Sequence, residues 1–135
     1  MMCIKYRKGL KYQLAEPFTY FVGIYDQQVE NGFYKLAKNG NLTIKTGYAW
    51  DGPSGPTVDT PAFMRGALVH DVLYQMIRRK QLPKECRKLA DELLYTLCRM
   101  DGMGWVRAQY VYRAVRTFGG ASAKPGSTQE VRTAP

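Results

Sequence analysis

The sequence predicts an α+β fold: an antiparallel β region over residues 1–50, then three helices of which the first two form an antiparallel hairpin. Three observations carry this. Residues 14–45 hold short aromatic and β-branched runs with period-two alternation. Residues 51–60 alternate glycine and proline with Asp and Thr, a structured loop. From residue 61 the apolar positions recur at helical spacing.

In the β region, Leu14 to Tyr25 is rich in strand formers and is interrupted at Pro17. Phe33–Leu36 and Leu42–Lys45 flank Asn39-Gly40, a dipeptide suited to a tight hairpin turn. Leu42-Thr43-Ile44-Lys45 alternates apolar and polar, as a half-buried strand does.

The first helix starts near Thr60, a fair N-cap, with Pro61 at its first position, and runs to about Arg79. The second is expected from Pro83 to Met100, with Cys86, Leu89, Ala90, Leu93 and Leu97 as its buried stripe. The third runs from Trp105 to Phe118 and stops at Gly119-Gly120. Residues 1–120 read as a single domain. Residues 121–135 are small, polar and proline-containing, a tail that is flexible or ordered only by a partner.

Of the residues, 45% are hydrophobic and 13% aromatic, enough for a compact core, and the net charge is +9. Such a charge favours anionic partners: nucleic acid, an anionic lipid surface or an acidic protein. The cations are dispersed, with no arginine-rich run and no aromatic RNA-binding signature, so nucleic acid is the least supported of the three. No apolar run approaches the roughly 20 residues that span a bilayer. The basic N-terminus has no apolar stretch behind it, so a signal peptide is not expected. Cys3, Cys86 and Cys98 have no metal-binding spacing and are expected as buried thiols.

His70-Asp71-Val72-Leu73-Tyr74 holds the chain's only histidine. On a helix His70 and Tyr74, four apart, share a face, while Asp71 points about 100° away. With the first two helices antiparallel, Asp91 on the second falls level with His70. A carboxylate on one ring nitrogen orients an imidazole so that the other nitrogen can take a proton from water. The bland alternative is a hydrogen-bonded brace between helices. Asp71 would face the glycine-proline loop, where Gly52 and Gly55 let the backbone approach a hard cation closely. Ser54 lies in Gly-Pro-Ser-Gly, which is a turn rather than a nucleophile elbow. The cysteines have no second histidine as base. Arg107, Arg113 and Arg116 read as an exposed basic face of the third helix.

Two resemblances attach to these residues. Gly47-Tyr48-Ala49-Trp50-Asp51-Gly52-Pro53-Ser54-Gly55-Pro56, Val69-His70-Asp71-Val72-Leu73-Tyr74 and Ala90-Asp91 resemble a tailed-bacteriophage family of unknown function, across residues 30–118. That likeness implies a phage or prophage origin and no activity. It makes synthesis in a host cytoplasm, incorporation in the virion and contacts with other phage structural proteins the expectations. More remotely, Gly52-x-x-Gly55-Pro56, Asp59, Arg65 and His70-Asp71-x-x-Tyr74 resemble the calcium loop and active-site helix of secreted phospholipase A2. This likeness implies Ca²⁺-assisted ester hydrolysis. His70 would activate water, Asp91 would orient it and Tyr74 would support it. Asp71 and the loop from Trp50 through Asp51 and Gly52 to Gly55 would hold the cation. The chain departs from that family in lacking its disulfide framework and in having β structure where the family has an N-terminal helix.

Overall fold

The computed structural model describes residues 12–50, 61–121 and 123–124, and the backbone of residues 6–7. The loop 51–60 lies outside the described residues, and with it the expected roles of Asp51, Gly52, Ser54, Gly55 and Asp59 and the Thr60 cap. The α+β reading holds, with antiparallel strands first and three helices after them. The described residues fall into two compact units that divide after the β region.

The β unit contains two antiparallel sheets. In one, β1 (Tyr6–Arg7) pairs with β2 (Tyr12–Leu14), which pairs with β7 (Ala49–Trp50). The other has the order β3 (Phe18–Phe21), β6 (Asn41–Ile44), β5 (Tyr34–Leu36), β4 (Val29–Glu30). Its register places Phe18, Ile44 and Tyr34 in one row and Tyr20, Leu42 and Leu36 in the next. Opposed residues share a face, so the alternation read from the sequence becomes an apolar face. Tyr34, Leu36, Leu42 and Ile44 on it are fully buried. On the other face Thr19 and Thr43 join hydroxyls at 3.0 Å.

The Asn39-Gly40 hairpin is wider than a two-residue turn. Gly40 N–H donates to the Ala37 carbonyl (3.0 Å) and Ala37 N–H to that of Asn41 (2.9 Å). Of the two, only Gly40 has positive φ, at 92°. A type I′ turn needs positive φ at both centres. Here Asn39 instead uses its Oδ1 to accept from Asn41 N–H at 3.1 Å. The loop is therefore the three-residue kind, with Gly40 in the left-handed position.

The helical unit contains α1 (Pro61–Arg78), α2 (Cys86–Met100) and α3 (Trp105–Phe118), with α1 packed on α2 and α2 on α3. The link between α1 and α2 is residues 79–85, longer than the short turn expected. It begins with a left-handed cap at Lys80, φ 61°. Lys80 N–H donates to the Ile77 carbonyl (3.0 Å) and Gln81 N–H to that of Met76 (2.8 Å), the paired bonds of a Schellman end. Pro83 does not start α2. Residues 83–85 form a tight turn whose carbonyls at Pro83 and Lys84 accept from Cys86 and Arg87.

The buried stripe of α2 is also rotated from the expected one. It runs Ala90, Asp91, Leu94, Leu97, Cys98, while Cys86, Leu89 and Leu93 are half-buried. Leu94 and Cys98 join Phe63 and Ala67 of α1, Met103, and Ala108 and Val111 of α3 in one apolar cluster. Gly66 permits this approach. A Cβ there would sit 3.1 Å from Cys98 Sγ and 3.2 Å from the Leu94 carbonyl oxygen. Of the thiols, Cys98 is buried as expected and pushed up to about 12, chiefly by desolvation. Cys86 is half-buried, and Cys3 lies outside the described residues. The helical unit continues through Ala123, which is buried and donates to the Gly119 carbonyl.

Candidate functional site

From Phe63 to Arg78, α1 is buried at every position except His70 and Asp71. Between Phe63 and Arg78 the one break in burial therefore coincides with the His-Asp pair. The His70 side chain is 14% exposed.

Asp91, on the buried stripe of α2, is the centre of the site. Its side chain is wholly buried. His70 Nε2 lies 2.7 Å from Asp91 Oδ1, and the Tyr74 hydroxyl donates to the same oxygen at 2.6 Å. Arg116 Nη1 donates to Oδ2 at 2.8 Å. Arg87, one turn before Asp91, has its Nε 4.0 Å from Oδ2. A carboxylate shut away from water would resist ionising, since desolvation acts strongly against the charged form. The donors from His70, Tyr74 and Arg116 outweigh it and hold Asp91 below the ordinary carboxylate range. Asp91 is thus an ionised acceptor, and Nε2 of His70 must carry the hydrogen between them. In the neutral ring that leaves the lone pair on Nδ1, which has no partner among the described residues.

The Tyr74 ring lies beside the imidazole, centroids 4.0 Å apart and planes tilted by 37°, a contact that their spacing of four residues allows. Its hydroxyl accepts from Arg87 Nε at 3.1 Å. Burial and the anionic Asp91 raise its pKa, so it stays a donor. Arg87 Nη2 then donates to the carbonyls of Val115 (2.7 Å) and Arg116 (2.8 Å) in the last turn of α3. A cation there meets the negative end of the helix dipole. The network takes side chains from all three helices.

Two arginines of this network escaped the sequence reading. Arg87 was legible in principle, since it stands four residues before Asp91. The sequence alone puts Arg116 on an exposed basic face together with Arg107 and Arg113. In fact Arg116 bonds Asp91, and Arg107 lies over the Phe63 ring at 5.8 Å, leaving Arg113 exposed.

Arg65 forms a two-point ion pair with Asp101 at the far end of the hairpin, Nε to Oδ2 3.1 Å and Nη2 to Oδ1 2.9 Å. Asp71 is half-buried on α1, and Trp50 belongs to the β unit. No group of three or more His, Cys, Asp or Glu side chains able to hold a metal occurs among the described residues. Among the described residues no helix is long and apolar enough to cross a membrane. No family model, curated protein or solved structure matches the chain.

Proposed function

We propose that the protein is a phage-encoded hydrolase of ester bonds, with envelope lipid as the substrate class, and that His70 is its general base. The observation that carries this reading is the Nδ1 of His70, without a partner among the described residues, whose Nε2 is committed to buried Asp91 at the one break in burial between Phe63 and Arg78. Water held at Nδ1 would lose a proton to the ring while its oxygen attacks the ester carbonyl. Asp91 steadies the imidazolium that forms, and Tyr74 and Arg87 hold Asp91 and the ring in place. Collapse of the tetrahedral adduct returns that proton to the leaving alkoxide, giving an acid and an alcohol.

Calcium belongs to this reading through the resemblance to phospholipase A2. A hard cation takes six to eight oxygens. Of the proposed set, Asp71 is the only side-chain ligand among the described residues, and one carboxylate does not close such a site.

A second reading is supported by a specific observation. The same network ties α1, α2 and the last turn of α3 through Asp91 and Arg87. On that reading the protein is a non-catalytic virion component and the site is a brace. His70→Ala separates the two. Catalysis predicts that hydrolysis of phospholipid esters disappears while the melting curve is nearly kept. A brace predicts a loss of about 1–3 kcal/mol from the partners left unsatisfied, with no ester hydrolysis by the parent protein at any calcium concentration. A parent protein that hydrolyses esters equally well without His70 would sink the first reading.

A further inference from the structure

We infer that the corner between α2 and α3 is a docking surface for an anionic lipid interface, with Met100, Trp105, Val106 and Tyr110 as the side chains that enter it. Seven large hydrophobic side chains are exposed among the described residues, and four of them fall at this corner. Val106 is 74% exposed, Trp105 59%, Met100 57% and Tyr110 55%. Val106 and Tyr110 are one turn apart on α3 and adjoin on its outer face. Trp105 opens the helix directly before them.

The turn is open at Gly102 and Gly104, while Met103 between them is buried. A Cβ built at Gly102 or Gly104 would meet nothing within 4 Å. Apolar side chains flanking an open turn suit insertion into a soft interface better than capture by a matching groove. Tryptophan and tyrosine are the residues whose rings settle at the level of lipid headgroups.

Charge selects the kind of surface. Between Asp101 and Glu130 the sequence has no acidic residue, and it carries Arg107, Arg113, Arg116 and Lys124. Asp101 itself is neutralised by Arg65. Arg99 and Arg113, beside Met100 and Tyr110, are exposed. Nucleic acid would call for a stripe of available guanidinium groups along a backbone. Here Arg107 lies on Phe63 and Arg116 on Asp91, so apolar burial supplies the attachment and the remaining cations supply the preference for anionic headgroups.

The surface stands apart from the proposed chemistry, and the experiment keeps them separate by using ether-linked lipids, which present no ester, and by repeating every arm with His70→Ala. Vesicles of phosphatidylcholine alone and of phosphatidylcholine with phosphatidylglycerol are mixed with the full chain. Flotation and tryptophan emission are followed. Trp50 is only 1% exposed, so a shift to shorter wavelength reports Trp105. The expected result is flotation with the anionic vesicles and that shift, both kept by His70→Ala. Trp105→Ala combined with Val106→Ser should weaken partitioning by at least about tenfold, the effect of losing roughly one buried apolar side chain or more. Arg113→Gln should reduce the preference for anionic over neutral vesicles and leave the emission shift. Circular dichroism and melting curves confirm that these exposed-site variants fold. Failure to float, flotation undiminished in Trp105→Ala/Val106→Ser, or a shift that arises from self-association without vesicles each overturns the inference. So does tighter binding to an RNA oligonucleotide than to anionic vesicles. Flotation without ester hydrolysis in the parent protein would sink the proposed function alone.

Discussion

The imidazole of His70 and the carboxylate of Asp91 meet at 2.7 Å across the α1–α2 seam, 21 residues apart in sequence. The histidine lies at the one break in burial between Phe63 and Arg78, and the aspartate has no contact with solvent. The partners of Asp91 are therefore all within the protein, and its charge is balanced entirely by them.

Removing that charge should be costly, and removing one outer partner should not be. Asp91→Ala leaves His70, Tyr74 and Arg116 aimed at a vacated acceptor, for which about 3–5 kcal/mol is the usual loss when one partner of a buried pair is deleted. Arg116 keeps 34% of its side chain exposed, so Arg116→Gln should cost no more than about 1 kcal/mol. Urea denaturation of both variants tests the contrast. Equal losses would mean that Asp91 is not the centre of the network.

Acid should loosen the helical unit through the same carboxylate. The folded pKa of Asp91 lies below that of the unfolded chain, near 3.9 for an ordinary Asp. Its contribution is thus present above that pH and is lost as pH falls through the lower, folded value. Stability measured from pH 6 down to pH 2 should drop more steeply in the parent protein than in Asp91→Asn. Parallel curves would contradict the depressed pKa.

Gly119→Ala should disturb the site from outside it. A Cβ at Gly119 would lie 2.6 Å from the Tyr74 hydroxyl and 2.5 Å from the Val115 carbonyl oxygen. Since the second of these is backbone, the end of α3 must move, carrying the carbonyls that Arg87 holds. A loss of about 1–3 kcal/mol is expected, the usual cost of overpacking. Calorimetry showing an unchanged or higher Tm would refute this steric reading.

Lys80→Gly should do the opposite. Lys80 occupies the left-handed position that closes α1, at φ 61°. The side chain makes that conformation cost about 1–2 kcal/mol relative to glycine, offset in part by the greater chain entropy glycine loses. A net gain of about 0.5–1 kcal/mol in chemical denaturation is expected. A destabilised variant would indicate that the lysine side chain itself holds the link between α1 and α2.

Much of the fold was written locally. Alternation over Leu42–Lys45, the glycines after α2 and α3, and the 3.6-residue spacing from Pro61 onward define the strand, the stops and the helices, because backbone preference and one-sided burial act over a few residues. The pairing of His70 with Asp91 was legible too, since an antiparallel hairpin places the two at one level. The rest was decided by packing. Whether α2 buries Leu93 or Leu94 depends on which face Gly66 and Phe63 of α1 offer, and a rotation of one position is invisible to periodicity. Arg87 and Arg116 entered the site because a buried carboxylate gathers whatever long donors can reach it, and reach is a property of three dimensions. The width of the Lys38–Gly40 turn followed from Asn39 bonding its own backbone rather than turning left-handed. Sequence fixes the elements and the chemistry they carry, and tertiary packing fixes which of those side chains face one another, because burial is shared among residues that no local pattern connects.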